Sequence, residues 1–250
     1  MNWRYFVGDT VNKGINAVLS APIVPLTRYV PAGHFWLYDV QRFAGTRDLN
    51  VIFDVGANIG QTAYDLVRYL PKANIFCVEP VSVSMQMLKA KYAGYDNIHF
   101  AQLAFGSRRE MRTIPLHHDS ELNTLVRDQP RIADLTGQNE RILVETVDNF
   151  CQQQKIEFID LLKMDVQGWE LEVLRGADAL LARNAIHFVF AEVGFQKSDT
   201  GMQYFCELHE YMQVRGFDFC GLYNSFRYGP AKQFVSFSNA LYINSSFGKA

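Results

Sequence analysis

The stretch VIFDVGANIGQTAYDLV, residues 51–67, decides the fold of this chain. It runs from a short apolar segment, VIFDV, through a turn with two glycines into a segment with helical periodicity. A buried strand, a glycine-containing turn and a helix are typical of the first unit of a doubly wound α/β sheet. Because such sheets bind ligands beyond the carboxyl ends of their strands, residues 56–60 are the first candidate for a ligand site.

The chain from residue 50 onward repeats this alternation of strand and helix. Further apolar runs of strand length lie at 74–78, 98–104, 159–164, 186–193, 217–222 and 235–243. Only about a dozen residues separate the last two runs, which is too few for a crossover helix and favours a hairpin. The pattern predicts a Rossmann-like, doubly wound, mostly parallel seven-stranded sheet with a C-terminal antiparallel hairpin.

The chain divides into two parts. Residues 50–250 are expected to form one domain, since a chain of 250 residues is long enough for a full core. Residues 1–49 are predicted to be an irregular or helical N-terminal extension that covers the acceptor side of the site, because they are rich in aromatic residues and prolines. The region 106–147 is less regular and is predicted to carry loops over the site.

The residues of the first turn favour a nucleoside ligand without a phosphate. A dinucleotide site needs G-x-G-x-x-G for close approach to a pyrophosphate, whereas this turn reads G-x-x-x-G, from Gly56 to Gly60. The preceding Asp54 would repel a phosphate and attract an ammonium group, which points to S-adenosylmethionine (AdoMet). Glu79, which closes the second strand, is suited to accept hydrogen bonds from two ribose hydroxyls. The predicted cofactor-binding residues are Asp54, Gly56, Asn58, Gly60, Glu79 and Ala104.

Three segments resemble the FkbM-type family of AdoMet-dependent methyltransferases: FDVGANIGQ (53–61), VEP (78–80) and IDLLKMDVQGWELEVLRGA (159–177). The resemblance extends from about residue 50 to about residue 245. It implies that residues 50–250 form a methyltransferase domain that acts on a hydroxyl, often of a sugar or a natural product. The family's DVEGAE is DVQGWE here, so Gln167 and Trp169 replace a glutamate and an alanine.

These two replacements keep a second interpretation open, a catalytically impaired AdoMet-binding scaffold that acts through partners. A nicotinamide oxidoreductase is a third interpretation, and the missing phosphate-binding glycine disfavours it.

Methyl transfer to an alcohol requires a group that takes the hydroxyl proton. Asp165 and Glu192 follow apolar runs at the ends of the fourth and fifth strands, so we expect desolvation to raise their pKa values. Asp165 ranks first as the base, because Gly194 suggests a loop that turns Glu192 away. His118, in the irregular segment, ranks third. No dense ligand pattern such as H-x-x-x-H is present, so no metal is expected.

The composition of the chain limits the classes of partner that the protein is expected to bind. The formal net charge is −2, which argues against a basic nucleic-acid-binding face. No apolar run reaches about 18 residues, so no integral membrane span is expected. The four cysteines form no C-x-x-C pair and are typical of a reducing compartment, which predicts a cytoplasmic protein. The predicted partner is a small hydroxylated acceptor, and the sequence leaves a homo-oligomer open.

Overall fold

The structure is a computed structural model that describes residues 31–120, 123–126, 135–199 and 201–247. The strands are β1 (Val51–Val55), β2 (Asn74–Val78), β3 (Ile98–Ala101), β4 (Ala104–Phe105), β5 (Glu110–His117), β6 (Leu135–Glu145), β7 (Ile159–Met164), β8 (Ile186–Gly194), β9 (Phe217–Tyr228) and β10 (Phe234–Asn244). The helices are α1 (Trp36–Ala44), α2 (Gln61–Tyr69), α3 (Ser82–Lys91), α4 (Val147–Gln154), α5 (Glu170–Arg175), α6 (Asp178–Ala182) and α7 (Phe205–Val214).

Seven strands form the main sheet, in the order β3-β2-β1-β7-β8-β10-β9. Neighbouring strands from β3 to β8 pair in parallel, whereas β10 pairs antiparallel with both β8 and β9. The predicted mostly parallel seven-stranded sheet with a C-terminal hairpin is confirmed. The chain order reverses between β1 and β7, and doubly wound sheets bind ligands at such a switch point.

The region between β3 and β7 differs from the prediction. Instead of loops alone, it contains a second sheet with the strand order β4-β6-β5. The predicted third strand, 98–104, is split because the chain bends after Ala101, where the N–H of Leu103 donates to the Ala101 carbonyl at 3.0 Å. Ala104 therefore begins the second sheet. One face of β5 is partly exposed, so this strand lacks the continuous apolar run that marks the strands of the main sheet.

Apolar side chains cover both faces of the main sheet. Consecutive residues of a strand point to opposite faces, so Ile52 and Phe53 belong to different buried clusters. Helix α1 packs on the Ile52 face, where Trp36 stacks on Phe190 with ring centroids 4.2 Å apart. None of residues 31–49 lines the cavity described below, and the predicted cover by residues 1–30 lies outside the described residues.

The structure describes all four cysteines and the helices named above. Cys77 and Cys151 are buried, and all four cysteines are free thiols. None of the described helices combines the length and the apolarity needed to cross a membrane.

Candidate active site

A cavity of about 440 Å³ lies at the carboxyl ends of β1, β2, β7 and β8. Sites for small ligands typically enclose about 300–1,000 Å³. We call one part of its wall the Glu79 half, lined by Gly56, Ala57, Asn58, Glu79 and Pro80. We call another part the Glu192 half, lined by Asp165, Gln167, Glu192, Asn224, Phe237 and Asn239.

Backbone hydrogen bonds fix the turn of the Glu79 half. The N–H groups of Gly56 and Ala57 donate to the Val78 carbonyl at 2.9 and 3.1 Å. Asn58 has a left-handed backbone, with φ of 47°. Both polar atoms of its side chain are buried without a hydrogen-bond partner among the described residues. Buried polar groups are rarely left unpaired, so these atoms indicate that a ligand completes the site.

Glu79 presents a carboxyl group to the cavity from the end of β2. The side chain is buried and accepts hydrogen bonds from the N–H groups of Val81 at 2.9 Å and Asn58 at 3.1 Å. Burial raises its pKa to about 7, and the two N–H donors oppose that shift. An ionised carboxylate has about four acceptor positions, so Glu79 can also accept hydrogen bonds from ligand hydroxyls.

The two glycines of the turn serve contacts within the protein. A Cβ atom at Gly56, where φ is 76°, would lie 1.9 Å from the Asp165 carbonyl oxygen. A Cβ atom at Gly60 would lie 2.4 Å from the ring of Tyr92, whose hydroxyl donates to the Gly60 carbonyl at 2.6 Å. Gly56 lines the cavity and Gly60 does not, so Gly60 joins the turn to the end of α3.

Asp54 does not reach the cavity, because its side chain is fully buried. Its carboxylate lies 2.9 Å from the ammonium nitrogen of Lys163 on the neighbouring strand β7. Burial opposes the charge of Lys163, but the carboxylates of Asp54 and Asp165 outweigh burial and raise the lysine pKa. The ammonium group that Asp54 contacts in this structure is therefore that of Lys163.

The Glu192 half is organised by one side-chain amide. Gln167 Nε2 donates to Asp165 Oδ1 at 3.2 Å and to Glu192 Oε2 at 3.0 Å. Burial, followed by the charges of Asp165 and Glu170, raises the pKa of Glu192 to about 9. The Asp165 side chain is 39% exposed, which is more open than its apolar strand suggested. Strand β8 continues to Gly194 and Glu192 lines the cavity, so the prediction that Gly194 turns Glu192 away is wrong.

Contacts from distant segments hold the turn after β7. Gln167 has a left-handed backbone, with φ of 53°, and its carbonyl accepts from the Thr124 hydroxyl at 2.7 Å. The indole N–H of Trp169 donates to the Phe105 carbonyl at 3.1 Å, and Arg112 lies 4.6 Å from the centre of the Trp169 ring. The two residues that depart from the family pattern are therefore both anchored by specific contacts.

Of the two remaining predicted site residues, one lines the cavity and the other does not. Ala104 lines the cavity, whereas His118 is exposed and lies outside the lining. Asn123 and Thr124, which follow His118 in the chain, do line it. Within the described ranges, no group of three or more histidine, cysteine, aspartate or glutamate side chains is arranged to hold a metal ion.

Some lining residues carried no signal in the sequence. Thr124, Asn224 and Asn239 come from a loop and from the hairpin, and none belongs to a motif. A parallel sheet predicts where its strands end, but it does not predict which residues of a following hairpin reach the site.

A doubly wound sheet with a cavity beside its switch point defines a Rossmann-like α/β protein. The chain belongs to the FkbM methyltransferase family, since residues 54–219 match the methyltransferase FkbM domain.

Two relatives are methyltransferases. The 2-O-methyltransferase NoeI of Sinorhizobium fredii (strain NBRC 101917 / NGR234) is 30% identical over 173 residues, which cover 60% of this chain and 66% of NoeI. Methyltransferase sdnD of Sordaria araneosa is 30% identical over 155 residues, which cover 51% of this chain and 60% of sdnD. The chain thus spans less than two thirds of the length of either relative.

Solved methyltransferase structures show only a distant likeness. The METTL16 MTase domain is 10% identical, with a TM-score of 0.49, and the match covers 84% of this chain and 66% of that chain. Aeropyrum pernix fibrillarin with natively bound S-adenosyl-L-methionine is 14% identical, with a TM-score of 0.43, and the match covers 78% of this chain and 67% of that chain.

Proposed function

We propose that the protein is an AdoMet-dependent O-methyltransferase that acts on a hydroxyl of a small acceptor, such as a sugar or a natural product. One observation carries the proposal. A single cavity joins the buried carboxyl of Glu79 to a second pair of carboxyl groups, Asp165 and Glu192, bridged by Gln167. Membership of the FkbM family supports methyl transfer, and the similarity to the 2-O-methyltransferase NoeI supports a hydroxyl as the acceptor.

The residues of the Glu79 half fit AdoMet. Glu79 would accept hydrogen bonds from ribose hydroxyls, and the unpartnered amide of Asn58 would bond to polar atoms of the same ligand. Ala104 and Phe105 would contribute apolar surface for the adenine. Asp54 would act at a distance, by holding Lys163 in place. When bound, AdoMet supplies a methyl group attached to a positively charged sulfur.

The Glu192 half would handle the acceptor and its proton. The raised pKa of Glu192 keeps its carboxyl protonated at neutral pH, so it would orient the acceptor by donating a hydrogen bond. Asp165 opens to the cavity, with its carboxylate held by the Gln167 amide and lying 3.8 Å from Lys163 Nζ. Asp165 would accept the proton that the acceptor hydroxyl loses when it is methylated. Alignment in the cavity would supply much of the remaining rate.

Binding calorimetry with AdoMet, S-adenosylhomocysteine and NAD tests the proposal. We expect AdoMet and S-adenosylhomocysteine to bind, and NAD not to bind. Glu79→Ala should weaken binding of both, whereas Glu157→Ala, at an exposed glutamate outside the cavity lining, should leave it unchanged.

Two results would contradict the proposal. Binding of NAD alone would make the protein a nicotinamide-dependent protein. Binding of AdoMet with no methyl transfer to any member of a broad panel of hydroxylated acceptors would favour an AdoMet-binding scaffold.

A further inference from the structure

An irregularity in the C-terminal hairpin brings two strands to the cavity. Between β9 and β10 the register shifts by one, so Asn224 and Ser225 of β9 lie opposite the single residue Ser238 of β10. This arrangement is a β-bulge, and bulges next to active sites redirect side chains. Asn224 takes a left-handed backbone, with φ of 52°, and is an exposed residue of the cavity lining.

Hydroxyl groups of the same strands hold the bulge. Ser238 is fully buried, and its Oγ donates to the Tyr223 carbonyl at 2.8 Å. The Ser225 hydroxyl pairs with the Ser238 hydroxyl at 2.9 Å. Through these bonds Ser238 of β10 contacts both Tyr223 and Ser225, the two residues that flank Asn224 in β9.

Next to the bulge, Asn239 of β10 brings a second asparagine amide to the cavity, in addition to that of Asn224. Asn239 lies opposite Glu192 in the antiparallel pair of β10 with β8, and both residues line the cavity. An asparagine amide offers two N–H donors and one acceptor oxygen, and a hydroxyl both donates and accepts. Asn224 and Asn239 therefore suit a ligand with several hydroxyl groups, beyond the one that reacts.

An aromatic wall borders these amides. Phe237 lines the cavity, and its ring stacks on Phe226 with centroids 5.2 Å apart and an interplanar angle of 13°. The face of an aromatic ring is electronegative and attracts weakly positive C–H groups. A ligand that matches both features has polar edges and a C–H face, as a sugar ring does.

We propose that Asn224, Asn239 and Phe237 form a subsite for the sugar ring that carries the hydroxyl to be methylated. This inference rests on the proposed function and names its acceptor class. A planar aromatic acceptor would stack on Phe237 but would offer fewer hydroxyl groups to the two amides than a sugar ring does.

Saturation-transfer NMR on the protein loaded with S-adenosylhomocysteine tests the subsite. The probes are methyl glycosides of glucose, mannose, galactose and fucose, with catechol as the aromatic comparison. We expect at least one glycoside to bind and catechol not to bind. Asn224→Gly keeps the left-handed backbone and removes the amide, so it should weaken glycoside binding about three- to tenfold, as the loss of one hydrogen bond would.

The matched control is Asn184→Gly. Asn184 also has a left-handed backbone, with φ of 56°, and lies outside the cavity lining. It should leave glycoside binding unchanged, and both variants should bind S-adenosylhomocysteine as the wild type does.

Each other outcome overturns the subsite. If S-adenosylhomocysteine binds but no glycoside does, or if Asn224→Gly binds glycosides like the wild type, the sugar subsite is wrong and the proposed AdoMet site stands. Catechol binding that survives Asn224→Gly would assign an aromatic acceptor instead. If S-adenosylhomocysteine itself does not bind, the proposed function fails and this inference fails with it.

Discussion

The two halves of the cavity are built in different ways. In the Glu79 half, the N–H groups of residues 56–58 and of Val81 donate to the Val78 carbonyl and the Glu79 carboxylate, so backbone groups form the wall. In the Glu192 half, the side-chain amide of Gln167 bonds to the carboxyl groups of Asp165 and Glu192, and residues of the hairpin complete the lining. Substitutions leave backbone groups in place, so the Glu79 half suits one fixed ligand. The side chains of the Glu192 half can be replaced one at a time, so its ligand preference can be altered.

The halves also differ in how they stabilise buried carboxyl groups. Two backbone donors hold Glu79, and they partly offset the effect of burial on its pKa, which is about 7. Glu192 receives one amide and lies near the charges of Asp165 and Glu170, so its pKa rises further, to about 9. Of the two carboxyl groups, Glu192 therefore holds its proton to the higher pH.

The largest expected effect is a loss of methyl-transfer rate, and it arises from a residue of the Glu192 half. Asp165→Asn removes the candidate base, so single-turnover methyl transfer should slow about a hundred- to ten-thousand-fold, with AdoMet affinity nearly unchanged. Asp178→Asn, at a surface ion pair with Arg215, is the control and should react at the wild-type rate. A rate within a few-fold of wild type would remove Asp165 from the mechanism, and a parallel loss of AdoMet affinity would make it a cofactor-side residue.

Gly56 belongs to the Glu79 half and packs against the backbone of Asp165 in the Glu192 half. Substitution of Gly56 tests how rigid this contact is. Gly56 and Gly216 have the same φ of 76°, but a Cβ atom would collide only at Gly56, with the Asp165 carbonyl. Gly216→Ala should cost about 1–2 kcal/mol of unfolding free energy from backbone strain alone. Gly56→Ala should cost roughly 2–5 kcal/mol, because overpacking adds to that strain, and should reduce AdoMet binding. Urea denaturation measures both, and equal losses would show that the contact with Asp165 yields easily.

Glu79→Gln should affect the cofactor and spare the chemistry. Glutamine keeps the size of the side chain but replaces an acceptor oxygen by a donor, so AdoMet affinity should fall about ten- to a hundredfold. In the wild type, affinity should rise between pH 6 and 8 as Glu79 ionises, and this rise should be absent in the variant. Calorimetry across that range checks both points. An unchanged affinity in a folded variant would contradict the ribose assignment.

Glu192→Gln should change the pH dependence of stability. The pKa of Glu192 is higher in the folded protein than the ordinary glutamate value of about 4.5, so the folded state binds its proton more tightly than the unfolded state. Stability from this group is complete below about pH 4.5 and is lost as the pH rises toward 9. Glutamine does not titrate, so Glu192→Gln should flatten the decline between pH 7 and 9. Parallel declines in both proteins would show that Glu192 does not hold its proton.

The smallest effect concerns the loop at the edge of the Glu192 half. Thr124→Val removes the hydroxyl that donates to the Gln167 carbonyl and accepts from the Val126 N–H. The expected loss is about 1 kcal/mol of stability and a few-fold rise in acceptor KM. Thr136→Val is a close control, since its hydroxyl also donates to a carbonyl and accepts from the N–H two residues on, outside the cavity lining. Equal effects on KM would mean that the Thr124 contact does not serve the site.

The carboxyl groups of the site were predictable because parallel strands end at one edge of the sheet. Glu79, Asp165 and Glu192 each lie at or near the end of an apolar run, and all three line the cavity. The sequence did not show why a glycine is needed at each position of the turn. Gly56 is required by the Asp165 carbonyl, which lies more than a hundred residues away in the chain, and no local pattern reports that contact. The ion pair of Asp54 with Lys163 could not be read from the sequence for the same reason, because Lys163 is on the adjacent strand.

The seven strands of the main sheet, the turn after β1 and the resemblance to the family could be read from the sequence alone, because hydrophobic periodicity and turn chemistry act over a few residues. The residues that complete the Glu192 half depend instead on how distant segments come together in the fold. Asn224 reaches the cavity through a bulge that depends on the register of β9 against β10. The amide of Gln167 meets two carboxyl groups only because β7 and β8 lie side by side. Register and strand adjacency arise from contacts between distant segments, so they form only when the sheet is assembled.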